Sequence, residues 1–234
     1  MLLKKTIIGT LLILLTCVSA LWAGDSAVFE DLGFSSDGRT YMFGQYGVLS
    51  PSLKPWAELY VIDVSNNTFV SNGRASIIQN TPIQAGQDGR GVFRRLVSDN
   101  PSLSSRNGIQ FNNQGLPLYI SREENPSPRG DNINFRDFIS VRKFEARLIP
   151  TISGSGKNVR SQFYIKLDVT SNNGQSIPYT VGTPNHVRQG ISQYNIKRVL
   201  IDTSGSSVVF VIEMKRVTDN GFDIRYMVEA VRIK

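Results

Sequence analysis

Side chains that could perform acid–base or nucleophilic catalysis are scarce in this chain of 234 residues. It contains one histidine, His186, and one cysteine, Cys17. A Ser-His-Asp triad needs a histidine held as a base, and the sequence has no Gly-x-Ser-x-Gly nucleophile elbow. One histidine and one cysteine are also too few for a zinc, iron–sulfur or haem site. The sequence therefore predicts neither a metal nor a cofactor.

Carboxylate pairs are the remaining route to hydrolysis, because glycoside hydrolases hold two of them across a cleft. The candidate pairs by residue type are Glu30 with Asp31, Glu58 with Asp63, and Glu123 with Glu124. Adjacent residues on a strand point to opposite faces, and so do Glu58 and Asp63, which an odd number of positions separates. None of these pairs has the spacing of a catalytic dyad. An envelope glycan hydrolase that uses carboxylates is therefore an alternative to a non-enzymatic function.

Basic residues outnumber acidic ones, 26 to 19, and the formal net charge is +7. The glycine-rich segment 86–91 precedes a predicted helix, and helix N-termini can bind anions. Arg90, Arg94 and Arg95 add positive charge there, so they form a candidate anion-binding site. For an exported protein the anionic partners are lipid headgroups, envelope glycans and acidic proteins. The sequence has no signature of a nucleic-acid-binding fold.

Two loops carry further candidate binding residues. Tyr46 and Trp56 flank the segment 47–55, and each combines an apolar body with a polar group. We expect them to line a groove for a sugar or a peptide. The tripeptide Arg129-Gly130-Asp131, known from integrin ligands, lies in the proline- and glycine-rich segment 122–134. It predicts, as a third interpretation, a surface adhesin that uses this loop.

The first 23 residues have the layout of a secretory signal peptide. Lys4 and Lys5 precede an apolar run of ten residues, which small residues follow. This run is shorter than the roughly 20 residues that span a bilayer. We expect residues 1–23 to be removed and residues 24–234 to be periplasmic or secreted, without a transmembrane helix. The position of Cys17 leaves a lipoprotein as an alternative.

The mature chain predicts a mainly β fold in a single domain, 24–234. Runs rich in Val, Ile, Tyr and Phe alternate with Gly, Asn, Asp and Ser, as strands alternate with turns. Asp37-Gly38 is typical of a tight hairpin turn. One short helix is expected at 88–98, and Pro101 should stop it. The strand candidates are 58–64, 118–121, 138–149, 162–169, 178–181, 196–201, 207–216 and 224–233.

The sequence also contains an internal repeat. Residues 34–43 align with 201–210, and 59–64 align with 226–231 at the same offset. The string Phe34-Ser-Ser-Asp-Gly-Arg39 resembles the hairpin of a β-propeller blade of the Tol-system or tryptophan–aspartate-repeat kind. A propeller usually has at least four blades. The expected fold is therefore an antiparallel β-sandwich or a set of incomplete propeller-like sheets.

A resemblance that covers more of the chain involves residues 33–64. The strings Gln45-Tyr46-Gly47-Val48 and Pro55-Trp56-Ala57 within it are similar to an uncharacterised family of predicted secreted bacterial proteins. The resemblance implies a location in the cell envelope and carries over no catalytic residue. Together with the export signal, it favours a non-enzymatic envelope protein that binds a protein, a glycan or an anionic lipid. The ligand and the oligomeric state stay open.

Overall fold

The structure, a computed structural model, describes residues 24–84, 86–121, 130–219 and 221–234. Two α-helices lie between the fourth and fifth strands: α1 (Arg90–Asp99) and α2 (Pro101–Arg106). The strands are β1 (Val28–Phe34), β2 (Thr40–Leu49), β3 (Lys54–Asp63), β4 (Thr68–Ile78), β5 (Leu116–Ile120), β6 (Asn132–Arg136), β7 (Lys143–Ser153), β8 (Arg160–Thr170), β9 (Ser176–Val181), β10 (Arg188–Gln189), β11 (Ile191–Ile201), β12 (Ser207–Thr218) and β13 (Gly221–Arg232). The prediction of a mainly β fold is confirmed.

The strands form three antiparallel sheets. The first sheet has the order β1-β2-β3-β4, the central sheet β13-β12-β11-β5, and the third sheet β10-β8-β7-β6, with β9 also paired to β8. The central sheet shares one apolar core with the first sheet and another with the third. Because both of its faces are covered, residues 208–212 of β12 are all buried and all apolar. A strand with one solvated face would alternate instead.

The helices cover the outer face of the first sheet. Val92, Phe93 and Leu96 of α1 share a core with residues of β2 and β3 such as Leu59. Gly44 of β2 lies directly beneath this helix, since a Cβ at this position would lie 2.3 Å from the Phe93 ring. Glycine at this position therefore allows the helix to approach the sheet closely.

One local expectation is extended and two are corrected. The first helix ends at Asp99, before Pro101, as expected, but Pro101 then begins α2 at its first helical position, where proline loses no hydrogen bond. The strand expected at 138–149 begins at Lys143, because 137–142 form the turn after β6. The loop expected at 122–134 includes the start of β6, and residues 122–129 lie outside the described residues.

The two copies of the repeat form equivalent hairpins, β1–β2–β3 in the first sheet and β11–β12–β13 in the central sheet. Each turn has a glycine in the left-handed region, Gly38 at φ 66° and Gly205 at φ 71°. The two turns meet, because the hydroxyl of Ser207 donates a 2.7 Å hydrogen bond to the Gly38 carbonyl. The repeat thus joins two sheets, while the similarity to propeller blades stays a resemblance.

Candidate functional site

The inner face of the first sheet, which points toward the central sheet, becomes polar in the middle of β2 and β3. Gln45 lies opposite Glu58 and Phe43 opposite Tyr60, and Tyr60 in turn lies opposite Arg74 of β4. Side chains that are directly opposite on antiparallel strands share a face and touch. The strand register therefore brings an amide, a carboxylate, a phenol and a guanidinium together.

These side chains form one wall of a groove of about 450 Å³. The other walls come from the central sheet and from the segment 186–191, which contains the single histidine. Its lining residues are Phe43, Gln45, Glu58, Tyr60, Phe69, Arg74, His186, Arg188, Gln189, Ile191, Met214, Arg216, Arg225, Tyr226 and Met227. We call this site the inner groove.

Hydrogen bonds fix the side chains of this wall of the inner groove. Oε2 of Glu58 accepts a 2.8 Å bond from Nε2 of Gln45 and a 2.7 Å bond from the Tyr60 hydroxyl. Oε1 of Gln45 accepts the backbone N–H of Tyr226 at 2.8 Å, which ties the two sheets together. Burial, reinforced by the negative charge of Glu58, raises the pKa of Tyr60 well above its ordinary value. Tyr60 therefore remains a hydrogen-bond donor at neutral pH.

Aromatic rings form a row across the same wall. The rings of Phe43 and Tyr60 stack with centroids 5.1 Å apart, and Phe69 continues the row 5.5 Å from Tyr60. The guanidinium of Arg74 lies 3.6 Å from the centroid of the Phe69 ring. Rings and guanidinium together offer a flat surface with an apolar part and a cationic part.

The four arginines of the inner groove differ in their partners. Arg225 pairs with Asp25 at 2.7 Å and lies 4.3 Å from the Trp56 ring, and Arg188 pairs with Glu229 at 3.2 Å. Arg74 and Arg216 are exposed and have no acidic partner in the part of the chain that the structure describes. Two guanidinium groups are therefore left with uncompensated charge.

The aromatic residues predicted for binding are not brought together. Tyr46 is opposite Ala57, on the face that the helices cover, whereas Trp56 is opposite Gly47, on the inner face. Both side chains are buried: Tyr46 packs on Phe93, and Trp56 donates a 2.7 Å hydrogen bond to Asp25. The expectation that the two line one groove is corrected, because both belong to strands rather than to the loop between them.

The predicted anion-binding arginines lie on the other side of the first sheet. Arg90, Arg94 and Arg95 are exposed on α1, and Arg90 donates a 3.1 Å hydrogen bond to the Tyr46 hydroxyl. That bond, with electrostatic contributions from Tyr46 and Asp88, raises the pKa of Arg90. None of the three lines the inner groove. An anion-binding role for them stays a prediction.

The adhesion tripeptide is described only in part, since Arg129 lies outside the described residues. Gly130 has φ 91°, and a Cβ there would lie 2.1 Å from the Leu148 carbonyl oxygen, so the close approach of the backbone at this position to β7 requires glycine. The Asp131 carboxylate accepts a hydrogen bond from the Ile196 N–H. Asp131 thus holds β11 next to the third sheet, and an adhesive role stays a prediction.

A family comparison places the chain among exported proteins. A family model described as "predicted secreted protein (DUF2259)" matches residues 42–232. The chain belongs to this family. The match confirms the resemblance seen in the sequence and extends it well beyond residue 64, to the groove residues of the central sheet. No curated protein and no solved structure matches the chain.

Three further structural observations concern the described residues of this family member. Among the described residues, no group of three or more His, Cys, Asp or Glu side chains is placed to hold a metal ion. In the same residues, no helix has the length and apolar character needed to cross a membrane. Within that part of the chain, Glu58 is the only acidic residue that lines the inner groove.

Sequence reasoning missed the residues that give the inner groove its charge. Arg74 lies in β4, which is absent from the predicted strands because Asn72 and Gly73 interrupt its apolar pattern. Arg216 was included in a strand but not connected with binding. The available signal was the alternation of Gln45, Glu58 and Tyr60 with apolar neighbours, which marks polar positions on an otherwise buried face.

Proposed function

We propose that this protein is an exported, non-enzymatic binding protein that holds an anionic ligand in the inner groove. The supporting observation is that Arg74 and Arg216 lack an acidic partner within the described chain, whereas Arg188 and Arg225 have one. Arginine is suited to carboxylate and phosphate groups because its planar fork donates two parallel hydrogen bonds.

The remaining lining indicates the rest of the ligand. The row formed by Phe43, Tyr60 and Phe69 suits a flat apolar surface such as the ring of a sugar. Glu58 and Gln45 add polar groups that orient a ligand. An acidic envelope glycan combines these properties, and it is the ligand class that we favour over an acidic protein or an anionic lipid.

Affinity capture from a native envelope extract tests the proposal. The exported protein is the bait, and the beads are washed at low and then at high salt. The informative variant is Arg74→Gln with Arg216→Gln, and the matched control is Arg94→Gln with Arg95→Gln on α1. Both variants remove two positive charges from exposed positions, so non-specific attraction falls equally.

We expect wild type and the α1 control to retain an acidic glycan at high salt. The groove variant should retain at least about tenfold less, since charge-assisted hydrogen bonds contribute roughly 1.5–3 kcal/mol each. Retention by the groove variant equal to wild type would contradict the proposal. So would the loss of all bound material from wild type at high salt. Loss from the α1 variant alone would instead support the site at Arg90, Arg94 and Arg95.

A further inference from the structure

The turn between β6 and β7 carries the two most exposed large apolar side chains of the described residues. Phe138 is 83% exposed and Ile139 is 77% exposed. The next value is the 58% of Ile78, so these two side chains stand apart from the rest of the described surface. Adjacent apolar side chains at one tip are costly in water unless they have a partner.

The turn is fixed from within. The Asp137 carboxylate accepts the Ile139 N–H at 2.9 Å and the Ser140 hydroxyl, while the Asp137 N–H donates to the Arg142 carbonyl at 3.0 Å. Val141 has φ 62°, a conformation that a β-branched residue rarely adopts and that its surroundings must impose. The outward direction of Phe138 and Ile139 is thus built into the backbone.

Arg142 anchors the turn to the central sheet. Its guanidinium lies 3.5 Å from the Asp137 carboxylate and donates a 2.6 Å hydrogen bond to the Gly205 carbonyl. Burial opposes ionisation of Asp137, but the hydrogen bonds of Ser140 and Ile139 and the charge of Arg142 together hold its pKa below the ordinary value. The carboxylate that shapes the turn therefore stays ionised in mildly acidic surroundings.

Two cations flank the base of the turn. Arg136 and Lys143 lie directly opposite each other in the β6–β7 ladder, and both are exposed. Like charges in this position repel, and neither has an acidic partner among the described residues. Glu145, the acid next to them, pairs with Arg147 at 3.5 Å. The base of the turn therefore suits a negatively charged surface.

We propose that the turn 137–142 docks on an anionic lipid bilayer, with Phe138 and Ile139 inserted below the headgroups and Arg136 and Lys143 in contact with them. The N–H groups of Asp137 and Ile139 are already bonded within the protein, so insertion leaves these two groups paired. Aromatic side chains favour the membrane interface, and basic residues favour anionic headgroups. A hollow of about 670 Å³ next to the turn, whose lining includes Phe135 and Phe138 together with Arg136, Lys143 and Glu145, adjoins this surface.

Vesicle flotation of the exported protein tests this proposal. The vesicles contain equal parts of phosphatidylethanolamine and phosphatidylglycerol. Replacing Phe138 and Ile139 by Ser should lower the partition coefficient at least about tenfold, because two apolar side chains no longer insert. Replacing Ile78 and Val187 by Ser, both exposed apolar residues elsewhere, should leave it within about twofold. Equal flotation of the turn variant and wild type would overturn the proposal.

The charge requirement has its own variants. Arg136→Gln with Lys143→Gln should weaken flotation about tenfold or more, since each basic residue near an anionic surface contributes about 1 kcal/mol. The same change at Arg94 and Arg95 should have a smaller effect. Equal binding of wild type to vesicles of phosphatidylcholine alone would contradict an anionic bilayer as the partner.

A local reporter identifies which part of the exported protein, residues 24–234, contacts the vesicles. In a Phe138→Trp variant, the tryptophan emission should shift to shorter wavelength with vesicles and be quenched by brominated acyl chains. Trp56 is 3% exposed and gives a constant background. Flotation without this shift would place the membrane contact elsewhere and overturn the proposal. If wild type does not float, the proposal is also overturned. If the protein instead captures an envelope protein, and replacing Phe138 and Ile139 with Ser abolishes that capture, the turn binds a protein partner.

Discussion

The two faces of the first sheet belong to the same strands but differ in role: one packs in the core, and the other lines the groove. On the helix-covered face, Leu59 and Val61 are fully buried against α1, and Gly44 lets the helix approach. On the inner face, Glu58 and Tyr60, one position away from Leu59, are only partly buried and line the groove. A strand reverses its side-chain direction at every residue. Three consecutive residues of β3 therefore alternate between stabilising the fold and forming the site.

The difference between the two faces shows which residues of the first sheet stabilise the fold and which are available for binding. The helix-covered face is a dry apolar contact, whose contribution follows from the area it removes from water. The inner face has an apolar end, with Phe34 and Ile62 in the core, and a polar end held by ion pairs such as Asp25 with Arg225. This division predicts that a substitution changes the free energy of unfolding less, the closer its position lies to the exposed arginines of the groove.

The largest loss of stability is expected on the helix-covered face. Leu59→Ala should lower the free energy of unfolding by about 3 kcal/mol, because the buried side chain leaves a cavity between β3 and α1. Urea unfolding followed by Trp56 fluorescence measures the change. Ile78→Ala, at a position that is 58% exposed, should cost less than about 1 kcal/mol. Similar costs for both variants would contradict a dry core on this face.

The ion pair of the inner face should come next. Arg225→Met should lower the free energy of unfolding by about 2 kcal/mol, because the Asp25 side chain, 2% exposed, loses its positive partner. Burial raises the pKa of Asp25, and Arg225 opposes that effect. Addition of Asp25→Asn should recover part of the loss. A double variant as unstable as the single one would show that Arg225 acts through packing on Trp56 rather than through its charge.

A carboxyl on the inner face should give a smaller change of opposite sign. Burial raises the pKa of Asp31 to about 6, against the nearby Tyr41 hydroxyl, a 3.0 Å hydrogen bond from the Gly33 N–H and the charge of Arg198. The folded protein therefore binds the proton more tightly, and the free energy of unfolding falls as pH rises from about 4 to 6. Asp31→Asn should raise stability by about 1 kcal/mol near pH 7.5 and by little near pH 4. Urea unfolding at both pH values measures this, and an equal gain at both would exclude ionisation as the cause.

The smallest effect on stability is expected in the groove itself. Arg74→Gln with Arg216→Gln should change the free energy of unfolding by less than about 0.5 kcal/mol, because both side chains are exposed and lack acidic partners among the described residues. Urea unfolding of this variant beside wild type is the measurement. A loss above about 1 kcal/mol would mean that the two arginines stabilise the fold. Weaker ligand retention by this variant would then not show that the arginines contact the ligand.

The sequence predicted the strands better than the faces on which their residues lie. Apolar runs bounded by turn residues located most of the central and third sheets, because β patterns are local. Tyr46 and Trp56 were expected to share a groove, but β2 extends to Leu49, which makes Tyr46 the partner of Ala57. A change of one position in hairpin register moves a side chain to the other face. The inner groove also depends on the stacking of separate sheets, which no local pattern specifies.

The most direct measurement of the central claim is chemical modification of arginine in the presence of the captured ligand. Phenylglyoxal modifies accessible guanidinium groups, and peptide mass spectrometry reports each site. We predict that the ligand protects Arg74 and Arg216 at least about fivefold, while Arg94 and Arg95 of α1 react as in the free protein. Protection of Arg94 and Arg95 with Arg74 and Arg216 unchanged would contradict the assignment of binding to the inner face of the first sheet.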